Sequence, residues 1–136
     1  MRKLPSFHDA EIIGYSVNCV ERELELRLCD EGRRCWQVMF IGLAGYQLIN
    51  DALGNIVFSL DEVSIDHIIE EYHGEILSAF AASGAPGNWA GNLDGAAAAL
   101  RSEGMKGFIL NQSFGMSGWL IAQTATATQQ GAALDA

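Results

Sequence analysis

Lysine and arginine nearly vanish after position 35. Of the eight such bases in this 136-residue chain, only Arg101 and Lys106 follow Cys35, and they face ten acids. A formal net charge of −9 argues against nucleic acid as a direct ligand, because that affinity rests on Lys and Arg neutralising phosphates. Long apolar runs are missing too. No window approaches the ~18 uninterrupted apolar residues of a membrane helix, so no membrane span is expected. The N-terminal MRKLPSFHDAE turns polar at once and shows no secretory leader, which reads as a cytoplasmic protein. Cys19, Cys29 and Cys35 are odd in number and lack CxxC spacing. Neither a disulfide framework nor a zinc site is read from them, and buried free thiols are expected.

What remains suits one globular domain. Apolar residues make up 49% of the chain and charged residues 18%, on the folded side of the boundary with disorder. A single domain over 1–126 is expected, with a small, polar C-terminal tail at 127–136. The fifteen glycines require many turns.

Strand signals come first along the chain. Ile13, Tyr15, Val17 and Cys19 share one parity. Leu24, Leu26 and Leu28 then alternate with Glu23, Glu25 and Arg27. After the turn DEGR at 30–33, Trp36, Val38 and Phe40 share a parity again. Three period-two runs in close succession read as an antiparallel meander with one wet face. GYQLINDALGN, 45–55, reads as either loop or helical turn, and Ile56–Phe58 as a short fourth strand.

From Asp61 the period changes. Ile65, Ile68, Ile69, Tyr72, Ile76 and Phe80 follow the 3.6-residue repeat of an amphipathic helix. Ser59 and Glu62 have capping-box spacing at its start, Ser83-Gly84 suits its end, and Gly74 invites a bend. SGAPGNWAGNLDG reads as a loop ordered by Trp89, GAAAALRSEGM as a short helix, and KGFILNQSFGMSGWLIAQTATAT as two strands around a turn near FGMSG, a hairpin that closes the fold. The fold class expected is therefore α+β. It has an antiparallel sheet of about six strands, an N-terminal meander and a C-terminal hairpin, with one main amphipathic helix and one short helix packed on a face.

Reactive groups are scarce and scattered. His8 and Asp9 are adjacent, and in extended chain their side chains point to opposite faces, so a dyad there needs a turn. In a turn, Asp9 is expected to cap backbone N–H groups. Glu70 and His73 have Glu-x-x-His spacing, but a dimetal site needs a second such pair and further carboxylates. No nucleophile elbow, phosphate-binding loop or zincin histidine pair occurs. No catalytic residue, metal site or cofactor is read. The acids stand out instead. Glu62, Asp66 and Glu70 form one i, i+4 ladder on the expected helix and Glu71 and Glu75 another, with no intervening base. Such a face is either solvated, paired with Arg33 and Arg34 across the fold, or a docking surface for a basic protein partner.

The run FHDAEIIGYSV, the Glu/Leu hairpin after it, Phe40-x-Gly42-Leu43 and Asn55-Ile56-Val57 together resemble a loose group of small bacterial proteins. These open with Phe-His-Asp-x-x-(Ile/Leu) and continue into an antiparallel meander. Some of that group are immunity proteins of bacterial toxin systems. The resemblance covers about the first 60 residues and carries no catalytic residues; Phe7, His8 and Asp9 enter as its marker, with a structural role. It implies a non-catalytic binding module whose partner is a cognate toxin. The alternative class is a small-ligand-binding protein or small enzyme with a pocket between sheet and helix.

Overall fold

The computed structural model describes residues 4–130. Strands β1 (Glu11–Asn18), β2 (Glu23–Cys29) and β3 (Cys35–Ile41) form the antiparallel meander their alternation implies. Leu24, Leu26 and Leu28 are fully buried opposite Phe40, Val38 and Trp36. The parity read for β1 needs correcting. Its register slips between Ile12 and Gly14, a bulge that places one extra residue in the strand. Ile12 therefore faces the core, while Ile13 is 49% exposed.

The sheet has eight strands, not about six. The remaining five are β4 (Gly45–Ile49), β5 (Asn55–Val63), β6 (Lys106–Phe114), β7 (Ser117–Ala122) and β8 (Thr124–Gln130), and the order is β4-β7-β6-β5-β1-β2-β3-β8, antiparallel throughout. Neither added strand announces itself by a strong apolar pattern. GYQLI is a strand because it pairs with β7 from Gly45–Ile121 to Ile49–Ser117. TATATQQ is one because it pairs along the whole of β3, with Ala125 and Ala127 packed against the core opposite Phe40 and Val38. Residues 127–130 thus complete β8, and the rest of the expected tail, 131–136, lies outside the described residues. The hairpin read over 106–128 is β6–β7 only as far as Ala122; the rest of its expected second strand is β8, which pairs with β3 and not with β6.

Two bends coil this sheet. β3 and β4 are separated by Gly42–Ala44, and β7 and β8 by Gln123 alone. Across the bend, the Gln123 N–H donates to the carbonyls of Ile41 (2.9 Å) and Gly42 (3.2 Å), and the Ala44 N–H to that of Ile121 (2.8 Å). The β3–β8 and β4–β7 ladders are thereby continuous, and the half β1-β2-β3-β8 faces the half β5-β6-β7-β4. Phe40 and Phe108 show the consequence. Their strands lie four steps apart in the order, roughly 19 Å in a flat sheet, yet their ring centroids are 5.2 Å apart. The space between the halves holds the main core, which includes Phe7, Leu24, Leu26, Val38, Val57, Leu110 and Leu120.

A second core lies outside the sheet. Ile109, Trp119 and Ile121 project from the outer face of β6 and β7 and are covered by Ile65, Ile68, Ile76, Ala96 and Leu100. The single long helix expected here is two: α1 (Ile65–Glu71) and α2 (His73–Ser83). Tyr72, at φ −109° and ψ 20°, ends the first and begins the second. The start is corrected as well. Ser64 accepts the His67 N–H at 3.0 Å, whereas Ser59 and Glu62 belong to β5, which stays paired with β6 as far as Val63. Gly84, at φ 79°, ends α2, and α3 (Leu93–Ser102) is the alanine-rich short helix. Trp89 does order the loop before it, donating its indole N–H to the Ala44 carbonyl at 3.1 Å and meeting Trp119 edge-on.

The cysteine reading is corrected too. Cys29 and Cys35 are opposite residues of the β2–β3 hairpin and form a disulfide, while Cys19 is free and exposed. Strand pairing brings the two sulfurs together; their sequence spacing gives no such sign. No helix among the described residues is long and apolar enough to cross a membrane.

Candidate functional site

Phe7, His8 and Asp9 form a turn that hooks the chain onto β5. The Ala10 N–H donates to the Phe7 carbonyl at 2.9 Å, and Asp9 takes φ 67°, the left-handed conformation that Asp tolerates better than most residues. Asp9 N–H then bonds the Val57 carbonyl and Val57 N–H the Ala10 carbonyl, both at 2.9 Å. Phe7 is buried, its ring edge-on to Trp36 with centroids 5.6 Å apart. These contacts give the tripeptide its structural role.

The turn also does what extended chain could not. His8 Nε2 comes within 3.6 Å of Asp9 Oδ1, while Nδ1 lies 3.2 Å from the Phe58 carbonyl oxygen and the ring stands edge-on to Phe58. The ring thus sits between the Phe58 carbonyl and the Asp9 carboxylate. Among the described residues the Asp9 carboxylate accepts no backbone hydrogen bond, contrary to the capping role expected of it.

Asp30, Glu31 and Arg34 join this pair in an open cleft of about 300 Å³. The disulfide hairpin supplies them. Asp30 accepts from the Arg34 backbone N–H and guanidinium, both at 2.9 Å. These bonds, the backbone one foremost, hold the Asp30 carboxyl below its ordinary range. Sequence reading treated DEGR only as a turn; its sole hint was acids and bases packed at a hairpin tip. Among the described residues no hydroxyl or thiol nucleophile lines the cleft, and no three His, Cys, Asp or Glu side chains are grouped to hold a metal ion.

The acidic ladder read on one helix is divided by the structure. Glu62 lies on β5 opposite Phe108, so it has the parity of the sheet interior at the strand's open end. Asp66 is engaged by Arg101 at 2.7 Å, a cross-fold pairing that involves neither Arg33 nor Arg34. Glu71 lies 3.5 Å from His67. Glu70 and Glu71 end α1, and Glu75 lies in the first turn of α2. Burial pushes the Tyr72 phenol up, and the charges of Glu71 and Glu75 raise it further. Among the described residues neither Glu70 nor Glu75 has a Lys, Arg or His within salt-bridge distance. His73, one turn from Glu70 in sequence, begins the other helix.

These features define an α+β domain: a coiled antiparallel sheet with an acidic helical layer on one outer face and a polar cleft at a hairpin tip. No family model, curated protein or solved structure matches the chain.

Proposed function

We propose that this protein is a non-catalytic binding module that meets a basic protein partner through the acidic face of α1 and α2. The observation that carries this reading is the unneutralised charge of Glu70 and Glu75. With Arg101 committed to Asp66, no Lys, Arg or His among the described residues lies within salt-bridge distance of them. Like charges gathered on a short surface raise encounter rates and select for an oppositely charged partner. Asp66 and Glu71 lie on α1 as well, engaged by Arg101 and His67. The resemblance of the first 60 residues to immunity proteins supports a cognate toxin as that partner.

The test uses wild-type protein and the double variant Glu70→Lys/Glu75→Lys as paired baits, with mass spectrometry of what each retains. A basic protein held by the wild type, lost from the variant and weakened by added salt supports the reading. If that protein arrests growth when expressed alone and not when co-expressed with the wild type, the toxin assignment follows. Equal retention by both baits removes the acidic face from the mechanism.

One observation favours a second reading, a small-ligand site. His8 Nε2 and Asp9 Oδ1 converge at 3.6 Å at the cleft that Arg34 also lines. A thermal-shift screen of small anions and amines tests it. A shift that disappears in both His8→Ala and Arg34→Ala would move the function to this cleft.

A further inference from the structure

We infer that the free edge of β4 receives an extended basic segment of the partner as an added strand. This rests on the proposed binding function and specifies how the partner is held.

β4 stands at one end of the strand order and pairs with β7 alone. Among the described residues its other edge makes no backbone hydrogen bond. Gly45-Tyr46-Gln47-Leu48-Ile49 contains no proline, no charge and no bulge, although exposed edges are usually blunted by one of these. The opposite terminal strand, β8, instead alternates threonine with alanine.

The surroundings of β4 specify what an added strand would carry. Gln47 lies opposite Trp119, which faces the helices, so Gly45, Gln47 and Ile49 share that face and Tyr46 and Leu48 the other. On the helix side, a cleft of about 470 Å³ runs between Gln47 and α2, lined by Gly74, Glu75, Ser78, Ala79 and Ala82. These small side chains leave room for a long aliphatic stem. Glu75, without a basic partner among the described residues, is placed to receive the cation at its end. A second cleft, of about 400 Å³, opens at the Gly45–Tyr46 end; Val17, Leu43, Tyr46 and Pro86 form its apolar walls and Asn18 and Arg22 its polar ones, so a cation is not expected there. It suits an apolar side chain. The segment that fits has Lys or Arg at alternate positions and apolar residues between them, docked by strand addition. A second copy of this chain fits poorly, because each copy carries a net charge of −9.

The test measures fluorescence anisotropy with three synthetic peptides. One has alternating Lys and Val, one alternating Glu and Val, and the third is the Lys peptide N-methylated at the amides of one edge. The Lys peptide is expected to bind and the Glu peptide not to. N-methylation should cost about fivefold per blocked amide. Glu75→Lys and Ile49→Lys should each weaken binding by about tenfold with Tm unchanged, since Glu75 and Ile49 are exposed. The N-methylated peptide needs no variant, so it reports even if a variant misfolds. If Glu75→Lys weakens the Lys peptide while N-methylation and Ile49→Lys do nothing, the acidic face stands and strand addition is overturned. If Lys and Glu peptides bind alike, both readings fall. A concentration-dependent dimer dispersed by Ile49→Lys would give the edge to a second copy. Binding that appears only after deletion of residues 131–136 would give it to the chain's own C-terminal segment. Either result overturns the proposal.

Discussion

The Tyr15 hydroxyl donates a 2.8 Å hydrogen bond to the Asp51 carboxylate, tying the outer part of β1 to the loop between β4 and β5. β1 pairs with β5 only at Glu11–Ile56 and Ile12–Asn55, so this bond fastens the seam where ladder pairing has stopped. The Asn55 amide holds the Asp51 carboxyl below its ordinary range most strongly, then the Leu53 N–H and the Tyr15 hydroxyl. The Tyr15 phenol is pushed up, first by its bond to Asp51, then by burial and the Asp51 charge.

Both limbs of the pH profile follow. Asp51 contributes stability that is full above its ordinary value of 3.8 and is lost as pH falls through the lower folded value. Tyr15 contributes stability that is full below 10.0 and is lost as pH rises through the raised folded value. Urea midpoints should therefore be flat from roughly pH 5 to 9 and fall on either side. Tyr15→Phe should shrink both limbs without abolishing them, because Asp30 is also lowered and Tyr72 also raised. An unchanged alkaline limb in Tyr15→Phe would refute this role.

Asn55 is the buried polar residue of the core. Its Oδ1 accepts the N–H groups of Ala52 (2.8 Å) and Met116 (2.9 Å), and its Nδ2 donates to Asp51 at 2.8 Å. One side chain thus pins the β4–β5 loop to the β6–β7 turn. Asn55→Ala orphans two backbone donors and should cost about 2 to 4 kcal/mol by chemical denaturation. Gly115→Ala should be destabilising as well, since Gly115 has φ 88° and an added Cβ would collide with Asn55 Oδ1.

The outer core can be tested by contrast. Ile68 is fully buried and Leu77 is 43% exposed. Ile68→Ala should lower stability by about 2 to 4 kcal/mol, and Leu77→Ala by less than about 1. Comparable losses would mean that the helical layer packs through a different face.

The disulfide makes a chemical prediction. Alkylation of unreduced, denatured protein should label Cys19 alone, and reduction should expose two more thiols, read by intact mass. Opening the short loop between Cys29 and Cys35 should cost about 2 kcal/mol. Such bonds persist mainly in oxidising compartments. Recovery of the bond from cells in which reoxidation is blocked would weigh against the cytoplasmic expectation.

Reversing the acidic face should leave the fold intact. Glu70 and Glu75 are exposed and, among the described residues, unpaired, so Glu70→Lys/Glu75→Lys should change stability by less than about 1 kcal/mol. Asp66→Lys should cost a few tenths more, because it sets a second cation against Arg101. Circular dichroism melts of the three proteins decide this before any binding experiment is interpreted.

The sequence by itself determined the local elements: the Leu24-Leu26-Leu28 alternation, the apolar repeat from Ile65 to Phe80, the hairpin around Gly115, and a charge balance that leaves Glu70 and Glu75 without nearby bases. Each depends on residues a few positions apart, where side-chain periodicity and backbone preference operate. Tertiary structure decided what distant pairing controls. GYQLI became a strand, and TATATQQ a strand apart from β7, only because β7 and β3 offered matching ladders. The helix split at Tyr72, Glu62 moved to β5, and a one-residue bulge exchanged Ile12 for Ile13 in the core. Cys29 met Cys35, and Asp30 and Arg34 came to line the cleft beside His8, because strand register sets which residues face each other across a hairpin or between chain segments. The energies that choose a register belong to both partners at once, and no single segment carries them.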